Sequence, residues 1–280
     1  MKIVVGTLSG FCSGVMRAIK GAEKALKANE KIYCLGEIIH NPDVVQSLKE
    51  QGMVVVDDIS KVPNRSNFIV RSHGLQNKIF EQALGKQLNI YDFTCPKVKK
   101  IHRLVTELTG EGYFILIIGN PGHPEVKAIV SLTRGNARVI RGIDNLKTHS
   151  ISSQNAVVVQ TTFNPVTFLN IVQEIILLSK KTLVYNTLCE ETIKRQKEAI
   201  QIAGKVDFVV VVGGKNSSNT KTLYNIVKKS VPAVQIENAH ELNKLQLKGL
   251  GRVGIISGAS TPEEEVKEVY ATIRRFDKDS

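Results

Sequence analysis

Residues 89–119, NIYDFTCPKVKKIHRLVTELTGEGYFILIIG, carry the pattern on which the fold turns. A short β-like run leads to Cys95, Pro96 opens a stretch with helical apolar spacing, and a second apolar run, FILII, stops at Gly119. Strand, cysteine, helix and strand in that order describe one step of a parallel α/β unit, since parallel strands need a long crossover between them.

The step recurs. KIVVGTLSGF precedes Cys12 and TLVYNTL precedes Cys189, and each cysteine opens an amphipathic segment, SGVMRAIKGAEKALKA or EETIKRQKEAIQIAG, that leads to the strand IYCLG or FVVVVG. The registers agree residue for residue. Gly36, Gly119 and Gly213 stand 24 positions after Cys12, Cys95 and Cys189, and His40, His123 and Ser217 stand 28 positions after them. Each copy then continues with a helix-like stretch, a short strand and a second strand ending in a polar loop, RSHG (71–74), QTTFN (160–164) or SGAST (257–261). Self-similarity on this scale means that one supersecondary unit is used three times.

The third copy ends after EEEVKEVYATIRRF without a last strand, and the N-terminal run to Cys12 supplies it. The expected fold class is α/β, a trefoil of three similar units with pseudo-threefold symmetry, residues 13–95, 96–189 and 190–280 plus 1–12. Open parallel sheets bind ligands beyond the carboxyl ends of their strands. Three such ends turned to one axis predict a cavity ringed by three thiols and the polar loops.

Composition narrows the class. The formal charge of +12 suits an anionic ligand or an acidic partner. The basic residues are scattered, aromatics make up only 5%, and no nucleic-acid module is recognisable, so nucleic acid is not an expected partner. Apolar runs such as 113–118 stop far short of the roughly 20 residues of a membrane-spanning helix, and no membrane segment is expected. The N-terminus lacks the long apolar core and cleavage site of a signal peptide, which makes a cytoplasmic or stromal location the expectation. Four cysteines without close spacing point to reduced thiols rather than to a disulfide framework or a zinc ribbon.

Cys12, Cys95 and Cys189, in register, are the expected metal ligands; three thiolates suit zinc with a fourth ligand, or an iron-sulfur cluster. Cys34, inside IYCLG and without counterparts in the other copies, reads as core packing. His40, His73 and His123 lie in loops expected to face the cavity, with Ser217, Ser218, Asn219 and Ser260. Such a set of donors without a carboxylate cluster suits phosphate oxygens better than a metal. His102, His149 and His240 have no such setting and read as surface or partly buried residues. Pro42, Pro124 and Pro262 are expected at the first position of helices, whose starts add N–H donors and positive potential. KNSSN and SGAST also read as helix caps, with Thr261 the natural cap and the Ser260 hydroxyl left free for a ligand. Glu125, directly after a His-Pro pair, is either a helix-start acid or a proton relay acting through Thr161 or Thr162. No Walker A sequence occurs and no G-x-G-x-x-G follows a strand.

GFCSGVMRAI, HNPDVV, SHG, TCP, GHPE, QTT, CEETIKRQ, GGKNSSNT and GAST-P follow one another from about residue 10 to residue 262. Together they closely resemble the motifs of the 4-hydroxy-3-methylbut-2-enyl diphosphate reductase (LytB) family, which closes the methylerythritol phosphate route to isoprenoids. The resemblance implies a three-domain trefoil and a two-electron reductive dehydroxylation that yields isopentenyl and dimethylallyl diphosphates. It implies that Cys12, Cys95 and Cys189 bind a 4Fe-4S cluster with one iron not ligated by protein. It further implies that His40, His73, Ser217, Asn219 and Ser260 hold the diphosphate with His123 beside them, and that Glu125 delivers protons through Thr161. The implied electron donors are ferredoxin or flavodoxin, whose acidity matches the basic chain. Two features depart from the family pattern. Phe93 stands where a small residue is more usual, with an expected effect on packing behind Cys95; Glu190 and Glu191 add charge after Cys189, with an expected effect on cluster potential or surface contact. A quinolinate-synthase-like dehydratase would share the three-cysteine logic, but the GHPE and KNSSN loops argue against it.

Overall fold

The computed structural model describes residues 1–147 and 152–278, and His149 lies outside them. In chain order the elements are β1 (Lys2–Val5), α1 (Ser13–Ala28), β2 (Ile32–Leu35), α2 (Pro42–Glu50), β3 (Met53–Val56), β4 (Asn67–Val70), α3 (Asn77–Gly85) and β5 (Asn89–Asp92). Next come α4 (Pro96–Gly110), β6 (Phe114–Ile118), α5 (Pro124–Ser131), β7 (Ala137–Ile140), α6 (Asp144–Lys147), β8 (Gln154–Val159), α7 (Pro165–Leu178) and β9 (Lys181–Val184). The chain continues with α8 (Glu190–Ala203), β10 (Phe208–Val212), α9 (Ser218–Val227), β11 (Ala233–Ile236), β12 (Arg252–Ser257) and α10 (Glu263–Lys278).

The described strands form three four-stranded sheets, ordered β3-β2-β4-β5, β7-β6-β8-β9 and β11-β10-β12-β1, and their pairings are parallel. Each sheet therefore uses its strands in one and the same order, with β1 in the fourth place of the last. β1 pairs with β12 from Lys2↔Arg252 to Val5↔Ile255, and the N-terminal ammonium meets Asp277 at 3.0 Å. The fold is α/β with three similar units, as the repeat predicts. By compactness the chain divides into a first unit, Met1–Met16, Ile39–Val44 and Glu190–Ser280, and a second, Arg17–Ile38 and Val45–Cys189. The first holds the sheet of β10 and the second holds the other two.

Strands buried on both faces need apolar residues at every position, and FILII and FVVVV meet that demand. In the second unit, Ile101, Val105 and Leu108 of α4 cover one face of β6 and β8, while Phe168, Ile171, Val172 and Ile175 of α7 cover the other. The first unit repeats the scheme. Val266, Val269 and Ile273 of α10 pack on one face of β10 and β12, and Ala199 and Ile202 of α8 with Leu223 of α9 pack on the other. Each fully buried side chain of this size contributes about 1.5–3 kcal/mol. Cys34 is fully buried in β2, where burial pushes its thiol up to about 12 against the opposing charge of Arg71. No helix among the described residues is long and apolar enough to cross a membrane.

Two local expectations are corrected. The β-like runs before Cys12 and Cys189 are read to the cysteine, yet β1 stops at Val5 and β9 at Val184, so loops of irregular backbone carry both cysteines. Ladder pairing ends at Val5↔Ile255 and Val157↔Val184, while β12 and β8 run on to Ser257 and Val159 against β10 and β6. Pro42 and Pro124 open α2 and α5 as expected, but α10 opens at Glu263, one residue beyond Pro262. The Thr261 hydroxyl donates to the Val212 carbonyl at 3.0 Å, which ties residue 261 to the end of β10.

Candidate active site

The three cysteines occupy equivalent places. Each stands immediately before a helix, α1, α4 or α8, and Cys95 is the N-cap of α4 with Pro96 behind it. The backbone N–H of each cysteine donates to a carbonyl in the loop after the neighbouring strand of its own sheet. Cys95 donates to Ser72 at 3.0 Å, Cys189 to Thr161 at 2.9 Å and Cys12 to Ala259 at 3.0 Å. These acceptors lie in the SGAST, RSHG and QTTFN loops, so in each repeat the segment that carries the cysteine is joined to the polar loop by one equivalent hydrogen bond.

In the second unit, Glu125 is 2% exposed at the start of α5. Its Oε1 accepts from the Thr161 N–H and its Oε2 from the Thr161 hydroxyl, each at 2.7 Å. Burial raises its pKa, and the two Thr161 donors pull against that rise. Thr162 instead accepts from the Gln160 side chain at 3.0 Å, so Thr161 is the alcohol that meets Glu125. His123 caps α5, its Nδ1 accepting from the Glu125 N–H at 3.2 Å. The His73 and His123 rings meet edge to face with centroids 5.4 Å apart. Lys97, in the first turn of α4, donates to Cys189 Sγ at 3.3 Å. Sequence reading passes over Lys97; the signal for it is a cation two residues after one cysteine of a matched set.

The Phe93 ring packs against α1. A Cβ on Gly21 of α1 would stand 2.4 Å from its ring, so the ring fills space that a side chain at residue 21 would need. His102 is partly buried, and that burial lowers its pKa; His240 is exposed.

In the first unit, Ser217 caps α9 by accepting from the Thr220 N–H at 3.3 Å, and Ser218 and Asn219 form the first turn. Asn219 is 4% exposed, yet neither its side-chain N–H nor its carbonyl oxygen has a partner among the described residues. A buried amide left unpaired costs about 1–3 kcal/mol. The Ser260 hydroxyl is expected to be free but donates to the His40 carbonyl at 3.2 Å, so its donor is engaged by the loop that carries His40. Gly214 permits this approach, because a Cβ there would lie 2.5 Å from the same carbonyl oxygen. The acidic pair after Cys189 does reach a partner. Glu191 accepts from the Ser13 hydroxyl at 2.5 Å and from the Ser13 N–H at 3.2 Å.

The donor set fits an iron-sulfur group. Cys12, Cys95 and Cys189 are reduced and half-buried, unlike the fully buried Cys34. Sulfur acceptors are met by donors of the kind that stabilise thiolate, the Val15 N–H at 3.4 Å from Cys12 Sγ and the Lys97 ammonium at Cys189.

The comparisons with known proteins agree with this arrangement. The family model described as LytB protein matches residues 3–274. The chain is 39% identical over 280 residues to the 4-hydroxy-3-methylbut-2-enyl diphosphate reductase of Geobacter sp. (strain M21), covering 100% of this chain and 99% of the relative. The Clostridioides difficile (strain 630) reductase is 38% identical, with 99% of this chain and 100% of the relative covered. Among solved structures, the E-1-hydroxy-2-methyl-but-2-enyl-4-diphosphate reductase from Plasmodium falciparum superposes with a TM-score of 0.92 at 30% identity, covering 96% of this chain and 87% of that one. A second, the (E)-4-hydroxy-3-methyl-but-2-enyl diphosphate reductase described as the terminal enzyme of the non-mevalonate pathway, gives a TM-score of 0.70 at 37% identity, with coverage of 98% and 100%. A reductase of this kind implies an iron-sulfur cofactor. With its motifs in order, its cysteines equivalently placed and its whole length matched, the chain belongs to the LytB protein family.

Proposed function

We propose that this chain reduces 4-hydroxy-3-methylbut-2-enyl diphosphate to isopentenyl and dimethylallyl diphosphates, the last step of the methylerythritol phosphate pathway. The observation that carries the reading is the shared placement of Cys12, Cys95 and Cys189, each one residue before a helix and each hydrogen-bonded to the adjacent polar loop. These thiolates are read as the ligands of a 4Fe-4S cluster that keeps one iron without a protein ligand. When bound, such a cluster supplies electrons and a Lewis-acidic iron. The reaction consumes two electrons and two protons, breaks the allylic carbon-oxygen bond, releases water and forms one carbon-hydrogen bond.

The chain's own residues supply binding and protons. Asn219, Ser217 and Ser218 at the start of α9, with Ser260, His40, His73 and His123, are assigned to the diphosphate. The unpaired Asn219 amide supports that role. Burial shifts the Glu125 carboxyl toward its neutral form against the pull of the two Thr161 donors, and the 2.7 Å contact with the Thr161 hydroxyl is a path along which a proton can move. Ferredoxin or flavodoxin is the proposed electron donor, in keeping with the charge of +12, and the cytoplasm is the proposed location. The three units are read as residues 13–95, 96–189 and 190–280 plus 1–12.

The test is turnover. Purified without oxygen, the chain should convert the allylic alcohol diphosphate with reduced viologen as electron source, and a Mössbauer spectrum should show one iron distinct from three. No turnover by a chain carrying an intact cluster would refute the assignment.

A further inference from the structure

Residues 6–12 join β1 to α1, carry Cys12 and are fastened along their length to one side of α8. Glu198 Oε1 accepts from the Thr7 N–H and the Thr7 hydroxyl, each at 2.6 Å, and its Oε2 accepts from the Leu8 N–H at 3.2 Å. The buried Arg195 guanidinium donates to the Leu8 carbonyl, to Gly10 at 2.7 Å and to Ser257 at 3.3 Å. On the other side of Cys12, Glu191 takes both donors of Ser13. Positions 191, 195 and 198 are spaced i, i+4 and i+7, so they share one face of the helix.

Loop 6–12 lacks a strand ladder to satisfy its backbone, and these three side chains do so both before and after Cys12. Ser13 is the first residue of α1, and the same first turn presents the Val15 N–H to Cys12 Sγ at 3.4 Å. Holding Ser13 therefore holds both the cysteine's backbone neighbour and the amide that meets its sulfur.

We propose that Glu191 and Glu198, with Arg195 between them, are positioning residues that fix Cys12 for metal binding. The proposal rests on the reading of Cys12 as a cluster ligand. Glu191 belongs to the acidic pair that departs from the family pattern, and this role explains its presence. The exposed Glu190 beside it carries the same charge and serves as a control.

Two measurements separate the brace from the cluster. Amide hydrogen exchange of the metal-free chain reads the loop, and iron release to a chelator from the anaerobically reconstituted chain reads the hold on metal. In Glu191→Ala, and separately in Glu198→Ala, exchange across residues 7–13 should rise about tenfold and iron release should quicken by a similar factor, the effect of losing charge-assisted hydrogen bonds. Glu190→Ala should change neither. Equal effects of Glu190→Ala and Glu191→Ala would assign the result to charge and overturn the proposal, as would faster exchange with unaltered iron release. If the unsubstituted chain takes up no iron, the cluster reading falls and the proposal with it; an iron-loaded parent with indifferent variants sinks the proposal alone.

Discussion

Thr161 connects two functions within one residue: its carbonyl accepts the Cys189 N–H, while its own N–H and hydroxyl both donate to Glu125. Moving Glu125 therefore disturbs the loop that carries a cysteine, and a shape-preserving substitution is the right probe. Glu125→Gln should lower kcat roughly 100-fold or more while changing KM little, because it removes a titratable proton and keeps the side chain's size. Unchanged turnover in a steady-state assay would assign Glu125 to the helix start. Since burial raises this carboxyl above the usual range near ~4.3, activity that needs its proton should decline as pH rises through the raised value, and the Gln variant should lack that limb. Asn219 makes a prediction of opposite signs. Asn219→Ala should stabilise the unliganded chain by about 1 kcal/mol, because it deletes a buried amide with no partner, and should weaken binding of inorganic diphosphate. Calorimetry of the same variant measures both, and a destabilised variant with normal diphosphate affinity would remove Asn219 from the binding site.

The recurring element is a strand end, a loop and a helix start. A helix start presents unpaired N–H groups, which Ser217 and His123 meet with side-chain caps, while Cys95 holds the N-cap position of α4 without a side-chain bond. The first turn of α10 adds a titratable contact. Glu265 accepts from the Asn41 side chain at 2.9 Å, and burial, reinforced by Asp43, Glu268 and Glu237, raises its pKa from 4.5 to about 7 despite that hydrogen bond. Its folded-state value lies above its unfolded one, so its contribution to stability is complete below pH 4.5 and is lost as pH climbs to about 7. Glu265→Gln should flatten this part of the stability profile, and denaturant midpoints taken between pH 4.5 and 7 would check it. Parallel profiles for variant and parent would show that Glu265 does not titrate there. The helices themselves were legible from apolar spacing, but their first residues and the ends of β1 and β9 were not, because pairing and capping partners lie far away in sequence.

At the level of the whole chain, the parallel pairing of β1 with β12 and the contact of the N-terminal ammonium with Asp277 bring the two ends of the described chain to one place. A circular permutant with residue 280 linked to residue 1 and a new opening at Glu111, in the exposed turn between α4 and β6, should fold and retain its iron. Failure to fold, seen as lost cooperative unfolding, would mean that β1 must be made first to template its sheet. Three similar α/β units were readable in advance because the repeat repeats its turns as well as its apolar runs, whereas the strand order shared by the three sheets came only with the structure. The two-part division by compactness was not readable, since it follows packing density and crosses α1 between Met16 and Arg17.

Periodicity and register, which are local properties of the chain, determined the alternation of strands and helices, the three matched cysteines and the loops that follow the strands. The family motifs added the roles assigned to those residues. Folding decided the rest. It turned the Ser260 hydroxyl to the His40 carbonyl, set Phe93 against Gly21 and braced the Cys12 loop with Glu191, Arg195 and Glu198. Each of these choices depends on a distance between residues remote in sequence, and such distances exist only once the backbone has packed.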